Sequence, residues 1–266
     1  MLSVLFYGMI AAHTNTLSIN DLKEGLILGK KKIYQVALLQ SLTLGQYDGF
    51  VNVGALKKHG DTGIGTFDGM DGELIMLDGV VYQGLSDGSI VEAVDEALVP
   101  FCDVTFFEKD FSAKVRADSL KILETNLSSI VARHGINAFY MVKLAGHFDS
   151  VQVRSERPQQ KPYPPLDVVM EDQTIFDLGD IQGTVIAFYC PAFMEGQNTV
   201  GWHSHFISDD KKHGGHILGL SAGLLQGAFT RTSEYQMVLP DDDAFHELDL
   251  SADLTDAIAR AEGGAG

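Results

Sequence analysis

The hydrophobic pattern of this 266-residue chain predicts many short strands and few helices. The clearest helix covers residues 117–134, where apolar side chains recur every three or four positions and Gly135 follows as a stop signal. A second helix is predicted over residues 33–44, a mostly apolar run with polar Gln35 and Gln40 at helical spacing. A short C-terminal helix is predicted over residues 251–264.

Strands are predicted in both halves of the chain. The segment "ELIMLDGVVYQ" (73–83) places two short apolar runs around Asp78-Gly79, a pair that suits the type I′ turn of a β-hairpin. Further apolar or alternating runs predict strands at 99–108, 137–155, 183–191, 198–208 and 215–230. The pattern indicates an α+β fold with mixed or antiparallel sheets and a few helices.

A proline-rich connection divides the pattern. Four of the seven prolines lie in "RPQQKPYPP" (157–165), which breaks the strand pattern on both sides. We therefore expect two β-rich halves, residues 1–156 and 166–266, with an active site between them. The two halves can equally be counted as one compact domain.

Charge and composition narrow the range of functions. The formal net charge of −17 argues against nucleic-acid binding, because phosphate contacts need clustered Lys and Arg. A small anionic substrate would need local positive charge in its site. Cys102 and Cys190 are read as buried thiols in a reducing compartment, which predicts a cytoplasmic protein.

The apolar N-terminus, "MLSVLFYGMIAAHTN", lacks the positive flank and cleavage site of a secretory signal and is too short to span a membrane. We interpret it as a core strand and expect no membrane partner. The sequence leaves a homodimer open, because an exposed strand edge could mediate one, but no such edge is identifiable from the pattern.

Candidate chemistry concentrates in "WHSHFISDDKKHGGH" (202–216). On a strand, His203 and His205 would project from one face, and a hairpin through the polar loop would return His216 beside them. Three imidazole nitrogens leave open positions on a divalent cation, which is the pattern of catalytic metal sites. The alternative is a polar hairpin with half-exposed histidines.

Several segments carry a family resemblance. "GWHSHFISDDKKHGGHILG", "GQYDGFVNVGALKKHGDTGIGTF", "MDGELIMLDGVVYQ" and "FDSVQVRSERPQQKPYPPL" are similar to segments of the bacterial α-acetolactate decarboxylases, in order from about residue 33 to 225. The resemblance implies decarboxylation of 2-acetolactate to acetoin and carbon dioxide. It also implies His203, His205 and His216 as zinc ligands, the metal acting as a Lewis acid for the enediolate left by carbon dioxide.

The resemblance extends to four further site residues. Arg154 matches the active-site arginine, which would hold the substrate carboxylate, although a strand-end Arg is more often part of a surface salt bridge. Glu73 matches a functional glutamate that could supply a proton, and Thr66 would line the same pocket. Glu262 is the match for a second, C-terminal glutamate, with Glu247 as a competitor.

Two alternatives to a decarboxylase stay open. One is a non-catalytic metal-binding module of the plant and prokaryotic conserved domain type, although such modules are about half as long. The other is a metal-dependent hydrolase or isomerase, in which the same histidines would activate water instead.

Overall fold

Strands account for most of the regular structure, and the predicted α+β class is confirmed. The computed structural model describes residues 31–251, 254, 257 and 258. Its strands are β1 (Ile33–Val36), β2 (Val51–Asn52), β3 (Thr62–Thr66), β4 (Glu73–Leu77), β5 (Val80–Gly84), β6 (Ile90–Glu92), β7 (Leu98–Val99), β8 (Phe101–Thr105), β9 (Phe111–Ala117), β10 (Phe139–Ser155), β11 (Thr174–Cys190), β12 (Gly201–Ser208), β13 (Gly214–Thr232) and β14 (Tyr235–Val238). Its α-helices are α1 (Leu39–Thr43), α2 (Val53–Leu56), α3 (Leu120–His134), α4 (Leu166–Met170) and α5 (Asp243–His246). In this part of the chain, every helix is too short or too polar to cross a membrane.

The strands form two large sheets and one small one. A seven-stranded sheet has the order β14-β1-β8-β3-β4-β5-β6, and its pairings are antiparallel except for the parallel pair β1–β14. A five-stranded antiparallel sheet has the order β10-β11-β12-β13-β9. Because β10 pairs with β13 as well as with β11, strands β10 to β13 close on themselves. Strands β2 and β7 form a separate pair.

The locally encoded elements follow the sequence pattern. Strands β4 and β5 form the predicted hairpin, and both Asp78 (φ 51°) and Gly79 (φ 83°) adopt the positive φ angles that a type I′ turn requires. Helix α3 lies within the range predicted for it, and Gly135 is its C-cap. It begins only at Leu120, since the preceding residues extend as β9, and Ser119 caps it by accepting a hydrogen bond from the Ile122 N–H.

The helix predicted over residues 33–44 is wrong in its first part. Ile33–Val36 forms β1, which lies between β8 and β14, and only Leu39–Thr43 is helical. Gln35 suggested helical spacing, but it is fully buried, and its side-chain amide donates to the backbone carbonyl of Gln197 at 2.9 Å. A hydrogen bond to a residue distant in sequence compensates the burial of the Gln35 side chain. The local sequence pattern therefore could not show that Gln35 lies on a buried strand.

Each of the two large sheets contains strands from before and after the proline-rich connection. Residues 157–165 form neither helix nor strand, yet β10 before them pairs with β11 and β13 after them. In the other sheet, β14 from the end of the chain pairs with β1 from its start. The sheets are therefore shared between residues 1–156 and 166–266, and the chain from Lys31 onward belongs to one compact unit.

A short helix precedes the segment that is predicted as the C-terminal helix. Most of the predicted helix over 251–264 lies outside the described residues. In the acidic segment just before it, Asp243–His246 forms the short helix α5, and the Asp242 side chain caps this helix by accepting a hydrogen bond from the Phe245 N–H.

The space between the two large sheets is filled at its centre by apolar side chains. Ile64 and Ile75 contribute from the seven-stranded sheet, and Ile186, Phe188 and Ile207 from the five-stranded sheet. Alternate residues of the same strands point to two other cores, one of which packs α3 against the five-stranded sheet. Side chains that share the strand faces of these apolar residues therefore also lie between the sheets.

Candidate metal and substrate site

Strand alternation turns two histidines of β12 toward the space between the sheets. His203 and His205 lie on the same face as Ile207, which belongs to the apolar core between the sheets. Trp202 and Phe206 lie on the opposite face and pack into the core around α3. The His-x-His spacing thus places both imidazoles inside the protein, where they are 7% and 0% exposed.

The turn after β12 returns His216 to the same place. His216 lies opposite His205 in the antiparallel register of β12 and β13, and it is 3% exposed. Gly215 makes this close approach feasible, because a Cβ atom there would lie 2.4 Å from the backbone carbonyl oxygen of Arg154. The paired glycines therefore bring β13 against its neighbours, whereas His213 in the loop is exposed.

The three imidazoles have the geometry of a metal site. The Nε2 atom of His203 lies 3.1 Å from Nδ1 of His216 and 3.2 Å from Nε2 of His205. For comparison, two nitrogens bound tetrahedrally to one zinc ion lie about 3.3 Å apart, given zinc–nitrogen bonds of about 2.0–2.1 Å. The residues thus fit one divalent cation, and among the described residues they form the group with this capacity.

His205 is held as a neutral ligand. Its Nδ1 atom lies 2.9 Å from the backbone carbonyl oxygen of Leu74, which can only accept, so Nδ1 carries the proton and Nε2 presents a lone pair. Burial lowers the pKa of His205 well below its ordinary value, and His203 and Arg154 lower it further, against the opposing effect of the Leu74 hydrogen bond. A neutral imidazole of fixed orientation is the form that binds a cation.

Glu73 and Thr66 face the histidines from the other sheet. They lie directly opposite each other in the register of β3 and β4, and they share the inner strand faces of Ile64 and Ile75. Both are buried, and Oε2 of Glu73 lies 3.2 Å from Nε2 of His205. The Thr66 hydroxyl donates a hydrogen bond of 2.8 Å to a backbone carbonyl, which fixes its oxygen at the cavity wall.

Arg154 lies in the same cavity, near the end of β10. It is directly opposite His216 in the register of β10 and β13, and it is only 4% exposed, so it is not the surface residue that the alternative interpretation suggested. Its Nη1 atom donates to Oε1 of Gln173 at 3.3 Å, and its Nε atom lies 3.4 Å from Oε1 of Glu156. A permanent positive charge thus lies beside the three imidazoles.

Glu156 is a buried member of this site that the sequence analysis missed. It is 1% exposed and lines the cavity together with Arg154 and Glu73. Its spacing of two residues from Arg154, at the end of a predicted strand, is the signal that could have identified it. The opposite wall of the cavity is apolar and consists of Leu39, Leu42, Met70, Phe101, Leu166 and Met170.

Glu262 lies outside the described residues. Ile258, the last described residue of the tail, packs against the apolar cluster that forms this wall. Glu247, the alternative to Glu262, is exposed at the end of α5 and is not among the residues that line the cavity.

Comparisons with known proteins agree over most of the chain. The family model of alpha-acetolactate decarboxylase matches residues 33–252. A curated alpha-acetolactate decarboxylase of Methanosarcina mazei is 37% identical over 231 residues, which cover 86% of this chain and 80% of the relative. One of Bacillus licheniformis is 34% identical over 234 residues, covering 87% and 92%.

The fold agrees as well. The crystal structure of alpha-acetolactate decarboxylase from Bacillus subtilis superposes with a TM-score of 0.84 at 33% identity, and the match covers 87% of this chain and 99% of that one. A second solved structure, a Staphylococcus aureus protein described as similar to alpha-acetolactate decarboxylase, gives a TM-score of 0.80 at 26% identity over 88% and 99% of the two chains. This chain belongs to the alpha-acetolactate decarboxylase family.

Proposed function

We propose that the cavity between the two sheets binds one divalent cation and converts 2-acetolactate into acetoin and carbon dioxide. The observation that carries the proposal is the row Arg154–His216–His205 across three neighbouring strands, with Glu73 facing it from the other sheet. This arrangement brings together a guanidinium that can bind a carboxylate, a set of metal ligands and a carboxyl group in one buried cavity.

The chemistry explains why such a set is needed. Loss of carbon dioxide from this substrate leaves a bonding electron pair, which must move toward the adjacent ketone. We propose zinc, held by His203, His205 and His216, and when bound it supplies Lewis-acid stabilisation of the developing negative charge. The proposal is supported by the donor set of three neutral nitrogens and by the burial of all three side chains.

Arg154 would hold the carboxylate that leaves. Its guanidinium cannot lose its proton at neutral pH, and its planar fork can grip a carboxylate through two hydrogen bonds. Because the protein as a whole is strongly acidic, this local positive charge is needed to attract an anion into the cavity. The substrate carboxylate would then lie next to the metal ligands, as the pairing with His216 requires.

A proton must replace the lost carboxylate on the same carbon. We assign its delivery to the carboxyl group of Glu73, which is buried in the cavity wall, and we assign substrate contact to the neighbouring Thr66 hydroxyl. Glu262 is proposed as a second carboxylic acid that closes over the cavity. The packing of Ile258 against the apolar wall, four residues earlier, supports this role.

Compartment and assembly complete the proposal. We propose that the enzyme works in the cytoplasm, which is supported by two buried cysteines that are not joined in a disulfide. The sequence leaves a homodimer open, and sedimentation of the purified protein would measure its oligomeric state.

Incubation of the purified chain with 2-acetolactate tests the function. We expect acetoin and carbon dioxide to form in equal amounts, much faster than in a matched sample of a variant in which all three histidines are alanine. Metal binding without acetoin formation would favour the non-catalytic module. Hydrolysis of esters or sugars without acetoin formation would favour the metal-dependent hydrolase, and either result would refute the proposal.

A further inference from the structure

Glu156 is a buried carboxylate whose position calls for an explanation. It lines the cavity with Glu73, Thr66, His203 and His216, and only 1% of it is exposed. A carboxylate that loses its water without gaining compensating contacts destabilises a protein. Among the described residues, however, no donor makes a hydrogen bond to either of its oxygens.

The guanidinium of Arg154 forms an ion pair with Glu156. Oε1 of Glu156 lies 3.4 Å from Nε of Arg154, and both side chains are at least 95% buried. Two residues apart on extended chain, they project to the same side, while Ser155 between them donates to the carbonyl oxygen of Gly84. The backbone at the end of β10 therefore keeps both side chains on the same side of the chain.

Two contacts together fix the plane of the guanidinium. Glu156 is next to the Nε edge, and Gln173, from the segment that leads into β11, accepts a hydrogen bond from Nη1 at 3.3 Å. A hydrogen bond at one nitrogen and an ion pair at another restrict the rotation of this planar group. Its orientation toward the cavity is then determined before any substrate arrives.

We propose that Glu156 is a positioning residue that orients Arg154 for the substrate carboxylate. This inference rests on the proposed function, since it presumes that Arg154 binds a carboxylate. It also accounts for the charge of Glu156. When the carboxylate leaves as neutral carbon dioxide, Arg154 loses its anionic partner, and Glu156 keeps the buried positive charge compensated until the next substrate binds.

A purely structural ion pair would behave differently from a positioning residue. Damage to the fold would weaken the binding of all ligands of the cavity alike. Misorientation of Arg154 would weaken only ligands that carry a carboxylate, whereas acetoin, the neutral product, would bind as before. The ratio of these two affinities therefore separates the two roles.

Steady-state kinetics of Glu156→Ala and Glu156→Gln test the inference. We expect the KM for 2-acetolactate to rise about tenfold in Glu156→Ala, with a smaller change in kcat and an unchanged inhibition constant for acetoin. Glu156→Gln should show a smaller rise, because its amide oxygen keeps the shape of the side chain and a partial negative charge beside Nε. This isosteric variant also keeps the test informative if Glu156→Ala does not fold.

Asp172→Asn is the matched control. Asp172 pairs with Arg157 in the same region of the chain, but both side chains are exposed, so all constants should stay at the wild-type level. In an Arg154→Ala background, adding Glu156→Ala should leave KM unchanged, because the group to be positioned is gone.

Three results would overturn the inference. The first is a wild-type KM in both Glu156 variants, and the second is an equal rise of KM and of the inhibition constant for acetoin. The third is a double variant in which the effects of Glu156→Ala and Arg154→Ala on KM are fully additive. If the wild-type protein forms no acetoin, the proposed function itself fails, which is a distinct outcome.

Discussion

Arg154 and His216 lie directly opposite each other on the neighbouring antiparallel strands β10 and β13. Side chains in such a pair have Cβ atoms about 4.5–5.5 Å apart, so the carboxylate-binding group and a metal ligand are held at a fixed short distance by backbone hydrogen bonds. A substrate whose carboxylate is attached to the hydroxyl-bearing carbon, next to the ketone, fits this spacing. The sheet, and not a flexible loop, therefore determines how the substrate is oriented.

Replacing Arg154 by Lys should reduce activity more than its retained charge suggests. The ammonium group cannot form the planar fork, and it cannot keep both contacts with Glu156 and Gln173. We expect kcat/KM for 2-acetolactate to fall by about tenfold to a hundredfold, which corresponds to about 1.4–2.7 kcal/mol. Arg157→Lys, at the exposed pair with Asp172, is the control, and an Arg154→Lys variant as active as the wild type would show that the carboxylate is bound elsewhere.

Replacing Gly215 by Ala should disturb the metal site from the backbone. The new Cβ would lie 2.4 Å from the Arg154 carbonyl oxygen, so β13 must shift away from β10. We expect the free energy of unfolding to fall by about 1–3 kcal/mol, with weaker metal retention. Gly223→Ala, in the same strand, is the control, because no atom lies within 4 Å of its added Cβ. Equal thermal stability of the two variants would contradict the inference that only glycine at position 215 allows β13 to approach β10 closely.

Replacing Glu73 by Gln should impair proton delivery without emptying the metal site. The amide keeps the shape of the side chain between Thr66 and His205 but cannot donate a proton as a carboxylic acid does. We expect kcat to fall by about a hundredfold or more, and the metal content to stay near that of the wild type. Turnover can be followed by acetoin formation, with the enantiomeric purity of the acetoin as a second readout. A variant with normal kcat and a single acetoin enantiomer would remove Glu73 from this role.

Truncation after Ala261 tests the predicted role of the C-terminal tail. The shortened chain keeps Ile258 and its packing against the apolar cluster but loses Glu262. We expect turnover to fall while the midpoint of thermal unfolding stays unchanged. Unchanged turnover would exclude Glu262 from the site, and the point variant Glu262→Gln in the full-length chain separates loss of the carboxyl group from loss of the tail.

The parts of the fold that local patterns encode could be predicted from the sequence. The Asp78-Gly79 turn requires positive φ at both residues, so its type follows from the residue pair alone. Likewise, the spacing of His203 and His205 on a strand, followed by a glycine turn, places three imidazoles together. In both cases the relevant partners are separated by few residues.

The parts that depend on distant partners were not predictable. Gln35 is polar yet fully buried, because its partners Gln197 and Asn198 come from the far half of the chain, and the segment around it was predicted as helix in error. Glu156 was missed for a similar reason. Its burial depends on the pairing of β10 with β11 and β13, so its spacing from Arg154 within "RSERP" could place it on the same strand face but could not show that it is buried.

Metal analysis of the purified protein tests the central claim most directly. If His203, His205 and His216 hold one divalent ion, elemental analysis should find about one metal atom per chain, and His216→Ala should contain far less. Removal of the metal with a strong chelator should abolish acetoin formation, and added zinc should restore it. A metal-free wild-type protein with full activity would contradict the account.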